Sequence, residues 1–251
     1  MPDKFYEAGE SYKYPLIVKK LLVNPLLYSP EQEIIYRGEV RYSYRVLNER
    51  INRLADGLRK IGVCPGDTVC IFDYDSHRYL ECFFAVPMMG AVLHTMNWRL
   101  SPDQILYTMN HAGDDAVMIH ADFLPLFEFI KNELTTVKRI ILNRDGENVP
   151  ECSIKVDIEY ENMLRQASPV YDFPDLDENT KATTFYTTGT TGLPKGVYFS
   201  HRQVILHTFS LAVTLGCFVS SIFRSTDVYM PLTPMFHAQP GAFPIWLPCL
   251  E

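Results

Sequence analysis

Short β-rich runs alternate with helical segments through most of the chain, and this alternation constrains the fold more than any other sequence feature. One helical segment begins after Ser43 and ends at Gly62, a second ends at Gly90, and a third runs from the cap sequence Ser101-Pro102-Asp103-Gln104 to Gly113. The runs with β character are a hairpin over Glu33–Tyr44 and the segments Thr68–Phe72, Ala91–Met96, Ala116–Ile119, Val137–Leu142 and Ile154–Val156. We therefore predict an α/β fold with a mainly parallel sheet and helices on both of its faces.

The first helical segment has the clearest pattern, because its apolar residues recur at alternating spacings of four and three. They are Leu47, Ile51, Leu54, Leu58 and Ile61. This spacing predicts one buried stripe on an otherwise charged helix.

Composition excludes several classes of protein. With 251 residues, 47% of them hydrophobic, the chain has enough apolar content for a packed core, which excludes intrinsic disorder. Its net charge of -7 argues against a sequence-independent grip on nucleic acid, which needs a basic surface. The six cysteines form no C-x-x-C pair, and no cysteine or histidine pair has zinc-ligand spacing. We therefore expect reduced thiols, no metal site and a cytoplasmic location without a signal peptide.

A long uncharged segment, Val204–Phe223, has two interpretations. It is long enough to cross a bilayer, but its histidine, serine and threonine residues lower its mean hydropathy. A buried core helix is therefore favoured over a membrane span.

A glycine- and threonine-rich loop is the strongest sign of chemistry. The β-rich run Ala182–Tyr186 leads into Thr187-Thr188-Gly189-Thr190-Thr191-Gly192-Leu193-Pro194-Lys195-Gly196, and a second β-rich run, Val197–Phe199, follows. Glycines allow successive backbone N–H groups to face one anion, threonine hydroxyls add donors, and Lys195 adds a compact positive charge. The spacing is not that of a Walker A loop, which leads into a helix. The alternative is a flexible surface hairpin.

This loop, followed by Ser200-His201-Arg202, closely resembles the signature loop of the adenylate-forming superfamily, which includes acyl-CoA synthetases, luciferases and peptide-synthetase adenylation domains. Further segments resemble landmarks of that family in the family order: residues 62–69, 83–86, 90–93 and 97–105. The resemblance implies that a carboxylate attacks the α-phosphate of ATP, giving an acyl-adenylate and pyrophosphate, and that the thiol of coenzyme A then displaces AMP. It implies ATP, Mg²⁺ and coenzyme A as cofactors or co-substrates. It also assigns Thr187, Thr188, Gly189, Thr190, Thr191, Gly192 and Lys195 to a cradle for the β- and γ-phosphates.

A second motif, Pro234-Met235-Phe236-His237, follows the strand-like residues Asp227–Tyr229. On its own, a histidine after phenylalanine in an apolar segment is most often a core residue. It resembles, however, the family's Pro-x-Phe-His motif, which implies that His237 lies beside the acyl-adenylate as the catalytic residue of this chain. His237 would donate to the substrate carboxylate, or reorient after adenylation to open the path of the thiol.

The sequence of residues 90–97 and of residues 234–238 is most similar to that of the fatty-acyl-CoA synthetase branch. This implies a medium- or long-chain fatty acid as the substrate, or a related thio or aromatic acid. His201, Arg202 and His207 are weaker candidates for contacts with coenzyme A, and a solvated helix start explains the first two equally well. The other histidines, His77, His94, His111 and His120, are expected to be surface or core residues without a chemical role.

Family members are considerably longer than this chain. Their downstream Tyr-Gly-x-Thr-Glu segment, ribose-binding Asp, hinge and C-terminal lysine domain have no counterpart here. We therefore expect residues 1–251 to be an incomplete N-terminal AMP-binding domain that is inactive alone and needs the C-terminal half in cis or in trans. We divide this incomplete domain into three parts: a first α/β portion (33–166), an acidic crossing segment (167–181), and the phosphate-loop strand with the helices after it (182–251). A non-catalytic phosphate- or partner-binding fragment is the alternative, and a homodimer remains open.

Overall fold

A mostly parallel β-sheet organises the protein, whose computed structural model describes residues 14–187, 192–216 and 227–237. The strands within these residues are β1 (Glu33–Tyr36), β2 (Val40–Ser43), β3 (Thr68–Phe72), β4 (Val92–Thr95), β5 (Asp114–His120), β6 (Arg139–Asn143), β7 (Ile158–Glu159), β8 (Lys181–Thr187) and β9 (Lys195–Ser200). β1 and β2 form a separate antiparallel hairpin. The other seven form one sheet in the order β7-β6-β5-β3-β4-β8-β9, in which only the β8–β9 pair is antiparallel.

Helices connect the parallel strands. They are α1 (Val23–Tyr28), α2 (Tyr44–Lys60), α3 (His77–Met88), α4 (Pro102–Ala112), α5 (Leu124–Ile130), α6 (Tyr160–Gln166) and α7 (His201–Gly216), with short 3-10 turns at Val18–Leu22, Ala121–Phe123 and Lys131–Glu133. The chain crosses from β3 to β4 on one side, returns past β3 to β5, and later places β8 beside β4. The connections therefore run on both sides of the sheet.

The predicted helix ends are confirmed by their local hydrogen bonds. The Ser43 side chain accepts from the N–H of Val46 at 3.4 Å and begins α2. At α4, Ser101 and Gln104 form the reciprocal pair of hydrogen bonds of a capping box, and Gly113 ends the helix in the left-handed conformation with φ of 71°. Only glycine adopts that conformation without appreciable strain.

Two apolar cores, one on each face of the sheet, hold these layers together. Successive residues of β3 point to opposite faces, so that Val69 and Ile71 join one core and Cys70 and Phe72 join the other. Helices α2, α3, α6 and α7 pack in the first core, and α4 and α5 pack in the second. Four of the five predicted stripe residues, Leu47, Ile51, Leu54 and Leu58, are buried, and the fifth, Ile61, follows the end of α2 and is half-buried against the same core. This arrangement confirms the predicted α/β class with helices on both faces.

Two predicted strands are wrong. Residues 154–156 form no strand; the chain joins the sheet slightly later, where Ile158 pairs with Ile141 of β6, and Ile154 is buried in the second core instead. Asp227–Tyr229 is also outside any strand, and Val228 is strongly exposed. In both cases β-branched residues fit either role, and the availability of a ladder partner decides between them.

The long uncharged segment forms α7 as far as Gly216, and its residues 217–223 lie outside the described part of the chain. None of the described helices combines the length and the hydropathy that crossing a membrane requires. Val204 and Ile205 are buried against the first core, but Leu206, Phe209 and Val213 of the same helix are exposed, so the prediction of a buried core helix holds for only one side of α7.

The acidic crossing segment fastens the start of the chain to α7. The Glu178 carboxylate accepts from the N–H of Leu16 at 2.9 Å and forms an ion pair with Arg202. Lys19 forms a second ion pair, with Asp175, at 2.6 Å. The segment is therefore held on the fold both by its charges and by Tyr171 and Phe173, which pack against the first core.

Candidate functional site

Both motifs singled out by the sequence approach the same edge of the sheet. β3, β4 and β8 are adjacent and parallel, so their carboxyl ends lie side by side, which is where open α/β sheets bind ligands. β8 ends there at Thr187, and the turns after β3 and β4 hold the segment that contains His237. The fold thus brings the two motifs to one side of the molecule.

The phosphate-loop motif joins the ends of β8 and β9. Thr187 and Lys195 are paired across these strands, and the Thr187 hydroxyl donates to the Lys195 carbonyl oxygen at 3.5 Å. Both side chains are exposed, as a group that meets a soluble anion must be. Gly192 has φ of 125°, a backbone conformation that other residues rarely adopt. Thr188, Gly189, Thr190 and Thr191 lie outside the described residues.

The segment with His237 is attached to the turn after β3 by a hydrogen bond. The N–H of Met235 donates to the Asp75 carboxylate at 2.7 Å. Burial raises the pKa of Asp75, although this N–H and the nearby Arg99 act in the opposite direction. The turn itself is firmly held, because Asp73 accepts hydrogen bonds from Ser76 and from Arg78.

The turn after β4 holds the other side of the same segment through aromatic contacts. The Phe236 ring is buried and lies edge-on to Trp98, with ring centroids 6.1 Å apart. The Arg99 guanidinium lies 4.9 Å from the Trp98 ring centroid and 5.9 Å from that of Phe236. Such stacking fixes the direction of a cation that would otherwise be free to turn.

His237 itself is exposed, whereas Phe236 beside it is buried. Its N–H donates to the Pro234 carbonyl oxygen at 2.8 Å, which closes a turn, and its ring lies 4.5 Å from the Phe236 ring. The interpretation of His237 as a satisfied core residue does not hold in this structure. An exposed imidazole on a backbone anchored at both sides is instead free to act on a bound molecule.

Asp75 and Arg99 were not among the site residues expected from the sequence. Arg99 belongs to a family-like segment, which is a weak signal of importance. Asp75 has no sequence signal, since its partner Met235 is 160 positions away.

Two weaker candidates for contacts with coenzyme A have structural roles in the described residues. His201 is buried, so the expectation of a solvated helix start is wrong for this residue. Its Nδ1 accepts from the N–H of Val18 at 3.2 Å, and burial lowers its pKa to about 4. Arg202 is occupied by its ion pair with Glu178.

A buried cluster of potential metal ligands, Cys70, His94 and Asp114, was not visible in the sequence because its members come from β3, β4 and β5. Their ligand atoms lie within 4.8 Å of one another. His94 Nδ1 lies 2.9 and 3.0 Å from the two Asp114 oxygens, and burial raises the pKa of the Cys70 thiol well above its usual value. The His94 imidazole already pairs with the Asp114 carboxylate, and the protonated Cys70 thiol can donate to the same carboxylate. Hydrogen bonds within the cluster therefore explain why these three polar groups are buried together.

Comparison with known proteins agrees with this geometry. The sequence model described as AMP-binding enzyme matches residues 27–250. A long-chain-fatty-acid–CoA ligase of Thermus thermophilus is 41% identical over 84% of this chain and 37% of its own length. A medium-chain-fatty-acid–CoA ligase of Ectopseudomonas oleovorans is 33% identical over 94% of this chain and 43% of its own length. The chain therefore spans well under half the length of these relatives.

A solved structure shows the same fold. The crystal structure of an anthranilate CoA ligase in complex with anthranoyl-AMP superimposes with a TM-score of 0.81 over 93% of this chain and 44% of that one, at 22% identity. The match to the family covers most of the sequence, and the parallel sheet with its two motifs agrees with it. The chain belongs to the AMP-binding enzyme family.

Proposed function

We propose that this chain is the N-terminal part of an ATP-dependent fatty-acyl-CoA synthetase. The observation that carries the proposal is that Thr187 and Lys195 at the end of β8 and the anchored His237 segment beside the ends of β3 and β4 lie at the same carboxyl edge of the sheet. The reaction would convert a carboxylate and ATP to an acyl-adenylate and pyrophosphate. The coenzyme A thiolate would then attack the acyl carbonyl carbon, forming the thioester and releasing AMP.

The phosphate loop would act by electrostatics and positioning. Phosphoryl groups carry several negative charges, and little covalent work falls to the protein in such transfers. Lys195 would neutralise part of the charge on the β- and γ-phosphates, and the Thr187 hydroxyl would donate a hydrogen bond to them. Both groups lie at the paired end of β8 and β9, so they would be held in place before the reaction begins.

His237 would serve the acyl group. Because its backbone is fixed between the Pro234 turn and the buried Phe236, its imidazole can change rotamer without moving the segment. We propose that it donates to the substrate carboxylate during adenylation. The same change of rotamer would later clear the path of the thiol.

Magnesium fits this part of the protein incompletely. Mg²⁺ prefers oxygen ligands and usually binds through substrate phosphates with one or two carboxylates. The described edge offers the Thr187 hydroxyl, while the Asp75 carboxylate in the turn after β3 already accepts from the N–H of Met235. We therefore assign no residue of this chain as a direct magnesium ligand and derive no step through the ion.

The relatives support a fatty acid as the substrate. A 3-methylmercaptopropionyl-CoA ligase of Ruegeria pomeroyi, which is 35% identical over 94% of this chain and 44% of its own length, widens the class to thio acids. The domain division at residues 33–166, 167–181 and 182–251, and completion of the site by the C-terminal half, belong to the same proposal. So does a cytoplasmic location, which the unpaired thiols of the four described cysteines support.

Lys195→Ala tests the phosphate loop directly. Calorimetric titration of the 251-residue chain with inorganic pyrophosphate and with magnesium ATP should show binding that falls at least about tenfold in this variant, the effect of losing one charged contact of about 1.4 kcal/mol. Lys181→Ala is the matched control, since Lys181 is an exposed lysine at the opposite end of β8. Equal pyrophosphate affinity in the Lys195 variant and the parent chain would remove the loop from the proposal.

ATP–pyrophosphate exchange with a panel of carboxylic acids tests the reaction. The chain alone should show no exchange, and a polypeptide supplying the C-terminal half should restore it for fatty acids. In the restored system His237→Ala should lower exchange by about two orders of magnitude, the usual contribution of a positioned acid–base group. Full exchange by that variant would contradict the role of His237, and turnover by the chain alone would contradict the incomplete site.

A further inference from the structure

Tyr186, the residue immediately before Thr187, is held by a side-chain contact outside its own strand. Its hydroxyl lies 2.7 Å from Nδ1 of His111, in the last turn of α4. Its ring is largely buried and also contacts the ring of His94, with centroids 5.3 Å apart. The end of the phosphate-loop strand is thus tied to a helix that follows a different strand.

Gly196 explains how the Tyr186 ring reaches this position. The two residues are paired across β8 and β9, and a Cβ placed on Gly196 would lie 3.2 Å from ring atoms of Tyr186 and 3.3 Å from its hydroxyl oxygen. Real Cβ atoms rarely approach other atoms so closely. The ring therefore lies across the bare backbone of β9 before meeting His111, and it bridges β9 to α4.

This bridge acts at the loop end of β9, whereas other contacts of the strand lie further along it: the Thr184 hydroxyl donates to the Val197 carbonyl oxygen at 3.1 Å, and the Phe199 ring stacks on Phe185. Within the described residues β9 pairs only with β8, and its residues 195 and 196 are both exposed. The next rung beyond Tyr186 and Gly196 is Thr187 with Lys195. Fixing the Tyr186–Gly196 pair therefore fixes the backbone positions from which the Thr187 and Lys195 side chains extend.

The other end of the bridge is firmly placed. Gly113 ends α4 directly after this turn, and Asn110 donates to the Glu133 carbonyl oxygen at 2.9 Å and accepts from the N–H of Thr135 at 2.9 Å. His94 is in turn fixed by Asp114. The helix end and the ring behind Tyr186 thus offer a rigid support.

We propose that Tyr186 and His111 are positioning residues for phosphate binding: the Tyr186 hydroxyl donates to His111 Nδ1 and so holds the Thr187–Lys195 rung in place. This inference rests on the proposed function of the loop, since positioning has a purpose only if the loop receives phosphates. Neither residue is assigned contact with the substrate.

The test uses conservative variants of the 251-residue chain. Tyr186→Phe removes only the hydroxyl, and His111→Leu removes the acceptor. His111→Asn retains an acceptor, because the Asn Oδ1 takes a place close to that of Nδ1. Tyr36→Phe is the matched control. Tyr36 lies in the separate β1–β2 hairpin, and the substitution likewise removes one tyrosine hydroxyl, which donates to the Asp145 carboxylate at 2.8 Å.

Two readouts are needed, amide hydrogen exchange and affinity for inorganic pyrophosphate. Tyr186→Phe and His111→Leu should each speed exchange about fivefold at whichever amides of the Tyr186–Gly196 and Thr187–Lys195 pairs exchange slowly in the parent chain, and should weaken pyrophosphate binding by a similar factor, the effect of one neutral hydrogen bond. His111→Asn should stay close to the parent chain in both readouts. Tyr36→Phe should leave both unchanged, even where it lowers the melting temperature.

The outcomes separate this inference from the function on which it rests. Parent-like exchange in Tyr186→Phe at the slowly exchanging amides of the Tyr186–Gly196 and Thr187–Lys195 pairs would overturn the positioning role, and so would identical behaviour of His111→Asn and His111→Leu. If the parent chain does not bind pyrophosphate, or Lys195→Ala binds it unchanged, the proposed function fails. The exchange results still decide whether the Tyr186–His111 bridge holds the rung.

Discussion

Acidification should destabilise the folded chain through His201. Its Nδ1 accepts from the N–H of Val18, which places the proton of the neutral ring on Nε2, and Nε2 is buried with no hydrogen-bond partner among the described residues. A second proton on this ring would charge a buried group and would break the bond to Val18. Burial accordingly lowers the pKa of His201 from 6.5 to about 4.

The sign and size of the effect follow from this difference. Since the pKa is lower in the folded state, the unfolded chain takes up the proton first, and the contribution is fully present above about pH 6.5 and lost as the pH falls toward about 4. The full difference corresponds to about 3 kcal/mol, and about 2 kcal/mol of it should be lost between about pH 7.5 and about pH 5.

Urea denaturation at these two pH values measures the effect. His201→Asn keeps an acceptor for Val18 but cannot titrate, so its free energy of unfolding should fall by about 2 kcal/mol less than that of the parent chain. Any cavity left by the smaller side chain acts equally at both pH values and cancels. His207→Asn, at a half-buried position of the same helix, should retain the parent's pH dependence. Identical pH dependence in His201→Asn and the parent chain would refute the reasoning.

Two further substitutions test how the structure is held. Gly113→Ala places a residue with a Cβ in a left-handed backbone conformation and should lower the free energy of unfolding by about 1 kcal/mol. The control Gly146→Ala, at a position with open space and no positive φ, should change the free energy of unfolding by less than about 0.5 kcal/mol. Equal effects of the two variants in urea denaturation would contradict the strain argument. Arg50→Met removes the cation that pairs with the fully buried Glu81 at 2.8 Å and leaves that carboxylate with only the hydroxyls of Tyr42 and Tyr160, which should cost about 3–5 kcal/mol in the same assay. The double variant with Glu81→Gln should recover part of that loss, and a single-variant loss below about 1 kcal/mol would show that Glu81 is not left as an unpaired charge.

The fold was predictable because its signals are local. Serine caps, helix-ending glycines and the spacing of apolar residues in α2 lie within a few positions of one another, and the structure agrees with each of them. The strand expected at residues 154–156 failed for the opposite reason. Its composition suits a strand, but pairing with β6 is decided by a register that favours Ile158, and no local pattern encodes that choice.

The candidate site was predictable only in part. Its motif residues are contiguous, and the resemblance of whole segments identified them. The contacts that support those residues join distant positions: Asp75 with Met235, His111 with Tyr186, and Val18 with His201. From the sequence alone each of these side chains has several possible contact partners, and only the packing of the folded sheet determines which one it meets.

The place of β8 in the sheet also bears on how the molecule folds. Its antiparallel partner β9 follows within a few residues, but its parallel partner β4 precedes it by about ninety residues, as in the pairing of Leu93 with Thr183. Fixing two strands so far apart closes a long loop, and the entropy cost of that closure rises with loop length. The β8–β9 hairpin can therefore form cheaply by itself, whereas its attachment to the sheet becomes favourable only once β3 and β4 present a finished edge. We therefore expect the phosphate-loop strand to join the sheet late in folding, after β3 and β4 have paired.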